Sequence, residues 1–172
     1  MIIVIIGVSG SGKTTIGQGV AEALDWGFSD ADDFHSPANV RKMKSGIPLT
    51  DEDREPWLRD LRAAIERWKR SEAGHVLACS ALKESYREIL GQNDPDVKFV
   101  YLRGAFDLIA RRLMERKGHF FDPALLRSQF EALESPEDAM VFNISNKPQE
   151  IISSILATIK PGDNKEEVRR KN

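Results

Sequence analysis

Met1-Ile2-Ile3-Val4-Ile5-Ile6-Gly7-Val8-Ser9-Gly10-Ser11-Gly12-Lys13-Thr14 opens the chain and decides its fold. The run from Ile2 to Ile6 is continuous and β-branched, the pattern of a strand buried on both faces in the middle of a parallel sheet. Residues 7–14 then match G-x-x-x-x-G-K-[ST], and Ile16, Val20, Ala21 and Leu24 recur at helical spacing just after it. Strand, glycine loop and helix in immediate succession are the context in which that pattern wraps a phosphate. Glycines let the backbone turn tightly so that successive N–H groups point at one anion, and the helix start adds unpaired donors and the positive end of its dipole. Gly7, Ser9, Gly10, Ser11, Gly12, Lys13, Thr14 and Thr15 are therefore candidate contacts for a nucleoside triphosphate. The Lys13 ammonium suits the β- and γ-phosphates, and the Thr14 hydroxyl suits the accompanying Mg²⁺.

Working outward, a short strand at 27–29 leads into Asp30-Ala31-Asp32-Asp33, and a helix is predicted around 37–44, ended by Gly46 and Pro48. Thr50-Asp51-Glu52-Asp53 has the form of a capped entry to a long helix that aligns Trp57, Leu58, Leu61, Ala64, Ile65 and Trp68 on one face. Further strands are predicted at 76–80, 97–102 and 140–144, with helical patterns between them and a last helix at 148–159. The alternation predicts an α/β fold of three layers, a mostly parallel five-stranded sheet covered by helices on both sides. One domain over 1–160 follows, and the tail at 161–172 reads as disordered, since its last ten residues hold seven charges and one apolar side chain.

A length of 172 residues allows one domain with a full core. Hydrophobic residues at 41% and charged residues at 30% exclude general disorder. Lys and Arg number 25 against 27 Asp and Glu, so no global charge attracts nucleic acid or an acidic membrane, and neither is expected as a partner. The single cysteine, Cys79, excludes an intrachain disulfide, reads as a buried inert thiol and fits a reducing cytoplasm. Residues 1–6 are too short for a signal-peptide core, and no later stretch approaches the roughly 20 apolar residues that span a bilayer. Asn146-Lys147-Pro148-Gln149 lacks the final carboxylate of a guanine-specifying Asn-Lys-x-Asp, which argues against a GTP timer.

Asp30 and Asp32 fall at the carboxyl edge of the sheet, where open α/β folds bind ligands. Spacing by two sets both on one side of an extended segment. Asp30 is then placed to hold or hydrate Mg²⁺, and Asp32 to orient an acceptor hydroxyl and take its proton. Asp33 beside them leaves open which carboxylate is the base, and His35 adds a polar group.

Such a chain resembles the nucleoside-monophosphate-kinase-like fold, and the later segments sharpen the resemblance. Asp30-Ala31-Asp32, His35, Asn39, Lys42-Met43, 46–49, 51–54 and Pro56-Trp57-Leu58, followed by 78–83 with Tyr86-Arg87, Arg112-Leu113, 116–121 and 129–134, resemble the gluconokinase family of the phosphate-loop type. The resemblance spans about residues 2–160 and implies ATP and Mg²⁺ as cofactors and D-gluconate as the small-molecule acceptor. An anionic polyol needs cations and hydroxyl partners. Arg54, Lys83 and Arg87 are read as the cations, and Asp32, His35, Ser80 and His119 as further acceptor contacts. Arg112, Arg116, Lys117 and His119, with Gly118 and Phe120-Phe121, read as a lid over about 112–125 that brings Arg116 onto the transferring phosphoryl group. Similar kinases set an arginine against adenine where Arg112 stands, and such kinases are often dimers, although the sequence leaves the oligomeric state open. A shikimate or nucleoside-monophosphate acceptor on the same scaffold, or an ATP-binding regulatory module without turnover, are the competing readings.

Overall fold

All five residues of β1 (Ile2–Ile6) are buried, because β1 is the middle strand of a five-stranded sheet ordered β2-β3-β1-β4-β5. The computed structural model describes residues 1–71, 73–115 and 123–159. Within them β2 (Gly27–Asp30), β3 (His75–Ala78), β4 (Val97–Arg103) and β5 (Met140–Asn143) complete the sheet. All four pairings are parallel, with Ile2 opposite both His75 and Val97, as the strand and helix alternation predicts.

The two faces of β1 divide the core. Ile2, Val4 and Ile6 pack with Leu58, Leu61 and Ile65 of α3 (Asp51–Lys69). Ile3 and Ile5 pack with Ile16 and Val20 of α1 (Lys13–Leu24) and with Ile151 and Ile155 of α7 (Pro148–Ile159). Burying each such side chain contributes about 1.5–3 kcal/mol, so the glycine loop leaves the best-anchored strand of the sheet.

The remaining helices are α2 (Pro37–Lys44), α4 (Glu84–Leu90), α5 (Phe106–Glu115) and α6 (Pro123–Ala132). At the start of α3, the Thr50 side chain accepts from the Asp53 amide and the Asp53 carboxylate accepts from the Thr50 amide. This capping box fixes the first turn and buries Trp57, Leu58, Leu61, Ala64 and Ile65 on the face that the sequence predicts. Cys79 is buried, and burial pushes its thiol up to about 12, which keeps it an un-ionised apolar filler.

One local expectation changes. The chain does not stay extended after Asp30: residues Ala31–Phe34 form a 3-10 turn. Of the predicted lid, the ends fall on α5 and α6, while 116–122 lies outside the described residues, as does the predicted tail at 161–172. No helix among the described residues is long and apolar enough to cross a membrane.

Candidate active site

The glycine loop joins β1 to α1 at the carboxyl edge of the sheet. Gly10 and Gly12 have φ of 77° and 96°, a region that costs an L side chain roughly 1–2 kcal/mol. Gly10 also lies so close to α5 that a Cβ there would meet the Leu113 side chain at 2.7 Å. Gly12 is the N-cap of α1, with no side-chain cap and no acidic residue in the first turn. The free N–H groups at that helix start are thus left to an external anion. Lys13 Nζ donates to the Val8 carbonyl at 3.0 Å. Burial lowers its pKa, opposed by the carboxylates of Asp32 and Asp30 and by Cys79, and phosphate charge beside it would favour the ammonium form in the same way. Ser11 Oγ is buried without a partner, and Thr15 is exposed one position beyond Thr14.

Thr14 Oγ1 donates to Asp30 Oδ2 at 2.9 Å, while Asp30 Oδ1 accepts from the Asp32 amide at 3.1 Å. One carboxylate therefore caps the 3-10 turn with one oxygen and orients the loop hydroxyl with the other. Among the described residues, no group of three or more His, Cys, Asp and Glu is placed to hold a metal by itself. A hydroxyl and one carboxylate are the sparse protein share that Mg²⁺ takes beside substrate phosphates, so Thr14 and Asp30 fit that ion. Beside them opens a cleft of about 640 Å³ lined by Thr14, Gln18, Ser29, Asp30, Asp33 and Phe34.

The 3-10 turn, and not an extended strand, aims Asp32. Its second anchor comes from α3: Trp57 Nε1 donates to the Ala31 carbonyl at 2.7 Å in the core. The Asp32 side chain is 81% exposed and stands 4.0 Å from His35 Nε2. Partial desolvation in the cleft, then the Asp30 carboxylate, push the Asp32 carboxyl above its ordinary value, against Lys13 and His35. The His35 side chain is only 5% exposed and lies flat on Trp57, with ring centroids 4.4 Å apart. Burial lowers its pKa, so His35 is a neutral imidazole at neutral pH, and its buried Nδ1 has no partner.

The predicted cations divide. Lys83 donates to both Asp51 oxygens at 2.9 and 2.7 Å, and the Tyr86 hydroxyl donates to the same carboxylate. Arg54 stands 5.9 Å from the Tyr86 ring centroid and donates to the Leu49 and Thr50 carbonyls. Lys83 and Arg54 thus share one cluster with Asp51 and Tyr86 and retain donors for an anionic acceptor. Arg87 does not join them. It is 2% exposed, on the inward side of α4 with Tyr86 and Leu90. Its Nη1 donates to the Ala81 and Leu82 carbonyls at 3.2 and 3.1 Å. The reason is Ala81, whose φ of 38° turns the chain left-handed after β3 and leaves two carbonyls in need of a buried donor. Arg87 therefore shapes the loop that carries Ser80 and Lys83, and its guanidinium is turned into the core and away from the water-facing position the sequence suggested. Ser80 is half-buried, and its carbonyl accepts the Gly7 amide at 3.4 Å.

Arg112 Nη2 donates to the Ile144 carbonyl at 2.6 Å, just past β5. Arg116 and His119 lie outside the described residues. Sequence reasoning gave no site role to Asp51, Tyr86, Gln129 or Glu134, and it read Trp57 as a packing residue of α3 only. Gln129 Oε1 accepts the Ser9 amide at 2.6 Å, and Glu134 Oε2 accepts the Glu84 amide at 2.5 Å. For Asp51, the i,i+3 pairing with Arg54 in a capped first turn was a readable signal; the others depend on distant partners.

With this geometry in hand, similarity to known proteins takes on meaning. The family model described as Shikimate kinase matches residues 9–160. The thermoresistant gluconokinase of Escherichia coli K12 is 42% identical over 165 residues, covering 94% of each chain. Two solved structures share the fold across nearly the whole length: a sugar kinase from Janibacter, 42% identical with a TM-score of 0.84 over 91% of this chain and 92% of that one, and a gluconokinase from Sinorhizobium meliloti 1021, 43% identical with a TM-score of 0.79 over 90% and 89%. A phosphate loop, a paired threonine and aspartate, and a separate cationic cluster therefore stand in a chain that belongs to the gluconokinase family.

Proposed function

We propose that this kinase transfers the γ-phosphoryl group of ATP to D-gluconate, giving 6-phospho-D-gluconate and ADP. The observation that carries the reading is 42% identity to a gluconokinase over 94% of both chains. The cluster of Arg54 and Lys83 supports it, since two cations beside a tyrosine hydroxyl suit a carboxylate on a polyol. The loop amides and Lys13 hold the triphosphate and stabilise charge on the moving group. Thr14 and Asp30 would hold Mg²⁺, which when bound would supply neutralisation of phosphate charge. Asp32, with a raised pKa and an open position, orients the acceptor hydroxyl and receives its proton. His35 offers a neutral donor or acceptor to a neighbouring hydroxyl, and Arg112 supports the adenine side; Arg116 and His119, outside the described residues, are assigned to the phosphoryl group and the acceptor by the family resemblance alone. A cytoplasmic setting suits the buried free thiol of Cys79.

The family model's description makes shikimate the acceptor to test against. A coupled ADP-release assay with Mg·ATP is run on D-gluconate, shikimate, nucleoside monophosphates and no acceptor. Turnover confined to gluconate is expected. Turnover on shikimate alone refutes the acceptor, and ATP binding without any turnover refutes catalysis. Lys13→Ala, folded, should lose about 10²-fold or more in kcat, roughly 3 kcal/mol of transition-state stabilisation.

A further inference from the structure

Two side chains five positions apart bond to two different loops, one after β1 and one after β3. Gln129, on α6, accepts the amide of Ser9 in the phosphate loop at 2.6 Å. Glu134, just past α6, accepts the amide of Glu84 at 2.5 Å, and its own amide donates to the Leu82 carbonyl at 2.9 Å. Those two contacts grip the loop that presents Ser80 and Lys83. The chain between the two anchors is fastened: Phe130 meets Phe106 edge to face at 5.4 Å, and Leu133 packs against both core layers. A direct bond between the two loops, from the Gly7 amide to the Ser80 carbonyl, is long at 3.4 Å.

We propose that the segment from Gln129 to Glu134 is a strut that fixes the separation of the phosphate loop from the acceptor loop, with Gln129 and Glu134 as positioning residues for phosphoryl transfer. Resting on the kinase reading above, it adds how the two substrates are held in register. The chemistry of the two ends agrees. At the phosphate end the acceptor atom belongs to a neutral amide, where a carboxylate would place negative charge beside anion-binding N–H groups. At the other end a carboxylate accepts the backbone amide of Glu84 in the first turn of α4, where the helix start favours negative charge. Transfer between two bound molecules depends steeply on their spacing, and a displacement of about 1 Å costs on the order of 10²-fold in rate.

Gln129→Ala, Glu134→Ala and the double variant are compared with wild type in steady-state kinetics, with exposed Glu131→Gln as a control on the same helix. Each single change should lower kcat about 10- to 10²-fold while both KM values stay within about threefold. The double variant should be no worse than the weaker single, because both release one distance. Glu134→Gln keeps an oxygen acceptor and should recover most of the lost kcat. Separate local braces would instead raise KM for ATP only in Gln129→Ala and KM for gluconate only in Glu134→Ala, with multiplying losses, and that result overturns the strut. Hydrogen exchange without substrates gives a second readout. Gln129→Ala should speed exchange at the Glu84 amide, and Glu134→Ala at 9–12; changes confined to each variant's own loop refute the coupling. If wild type does not turn over gluconate, the acceptor reading fails, and the exchange measurement still decides the strut.

Discussion

Trp57→Phe separates the fold's grip on Asp32 from the chemistry of Asp32 itself. The Trp57 indole is 4% exposed, donates to the Ala31 carbonyl at 2.7 Å and stacks on His35. Phenylalanine keeps a ring for the stacking but removes the donor and half of the bicycle. A buried carbonyl left without its partner costs about 1–3 kcal/mol, and the smaller ring adds roughly 1 kcal/mol through the space it leaves. A loss of about 2–4 kcal/mol is therefore expected, within the roughly 5–15 kcal/mol of a typical domain, so the variant should remain folded at 25 °C. The Ala31 carbonyl begins the turn that aims Asp32, and its release should lower kcat about tenfold. KM for ATP should hold, because the phosphate loop is anchored through β1 and α1. Urea unfolding followed by far-UV circular dichroism reads the first effect and coupled ADP release the second. An unchanged unfolding midpoint would refute the hydrogen bond. A destabilised variant with wild-type kcat would refute its role in aiming the carboxylate.

Two further outcomes follow from the site. Arg87→Leu removes a buried guanidinium whose Nε has no partner but takes the donor from the buried Ala81 carbonyl, so a loss of about 1–3 kcal/mol in stability is expected. The Ala81 turn loosens with it, and steady-state kinetics should show KM for the acceptor rising about tenfold with little change for ATP. The pH profile should carry an acid limb from Asp32: its carboxyl is raised in the folded protein and the ionised form takes the proton, so kcat/KM falls as pH drops through a value above the ordinary aspartate one. Asp32→Asn should abolish that limb together with most of the activity, and a limb that survives the substitution assigns it to another group.

What was legible in the sequence was what neighbours in the chain decide. β1, the glycine loop, α1, α2 and α7 are specified by contiguous apolar runs, glycines and caps, and they stand where the spacing predicts. The Thr14 and Asp30 pair was readable because loop and strand end converge at one edge of any parallel sheet built this way. Asp32 was readable as a residue but not in its geometry, since the turn that aims it is tied down by an indole 26 positions away. The inward position of Arg87 was hidden for a similar reason. A charged residue on a short helix ordinarily faces water, and only the left-handed Ala81, with its inward carbonyls, draws the guanidinium into the core. The bond from Gln129 to Ser9 spans 120 positions, and no local pattern announces it.

This contrast has a physical root in how the two halves of the cleft are made. The triphosphate side is a property of one loop, whose backbone amides bind any phosphate of the right shape. The acceptor side is assembled on the first two turns of α3, which supply Asp51 to Lys83 and Tyr86, Arg54 to the Tyr86 ring, and Trp57 to His35 and Ala31. Asp51, Arg54 and Leu58 fall at i, i+3 and i+7, so one helix face delivers the cluster while the next turn buries in the core. The register of that face is set by the capping box at Thr50 and Asp53. Starting α3 one residue later would rotate each side chain by about 100° and break the Asp51 cluster and the Trp57 anchor together. On the proposed function the cap is therefore part of acceptor recognition, although neither Thr50 nor Asp53 belongs to the cluster itself.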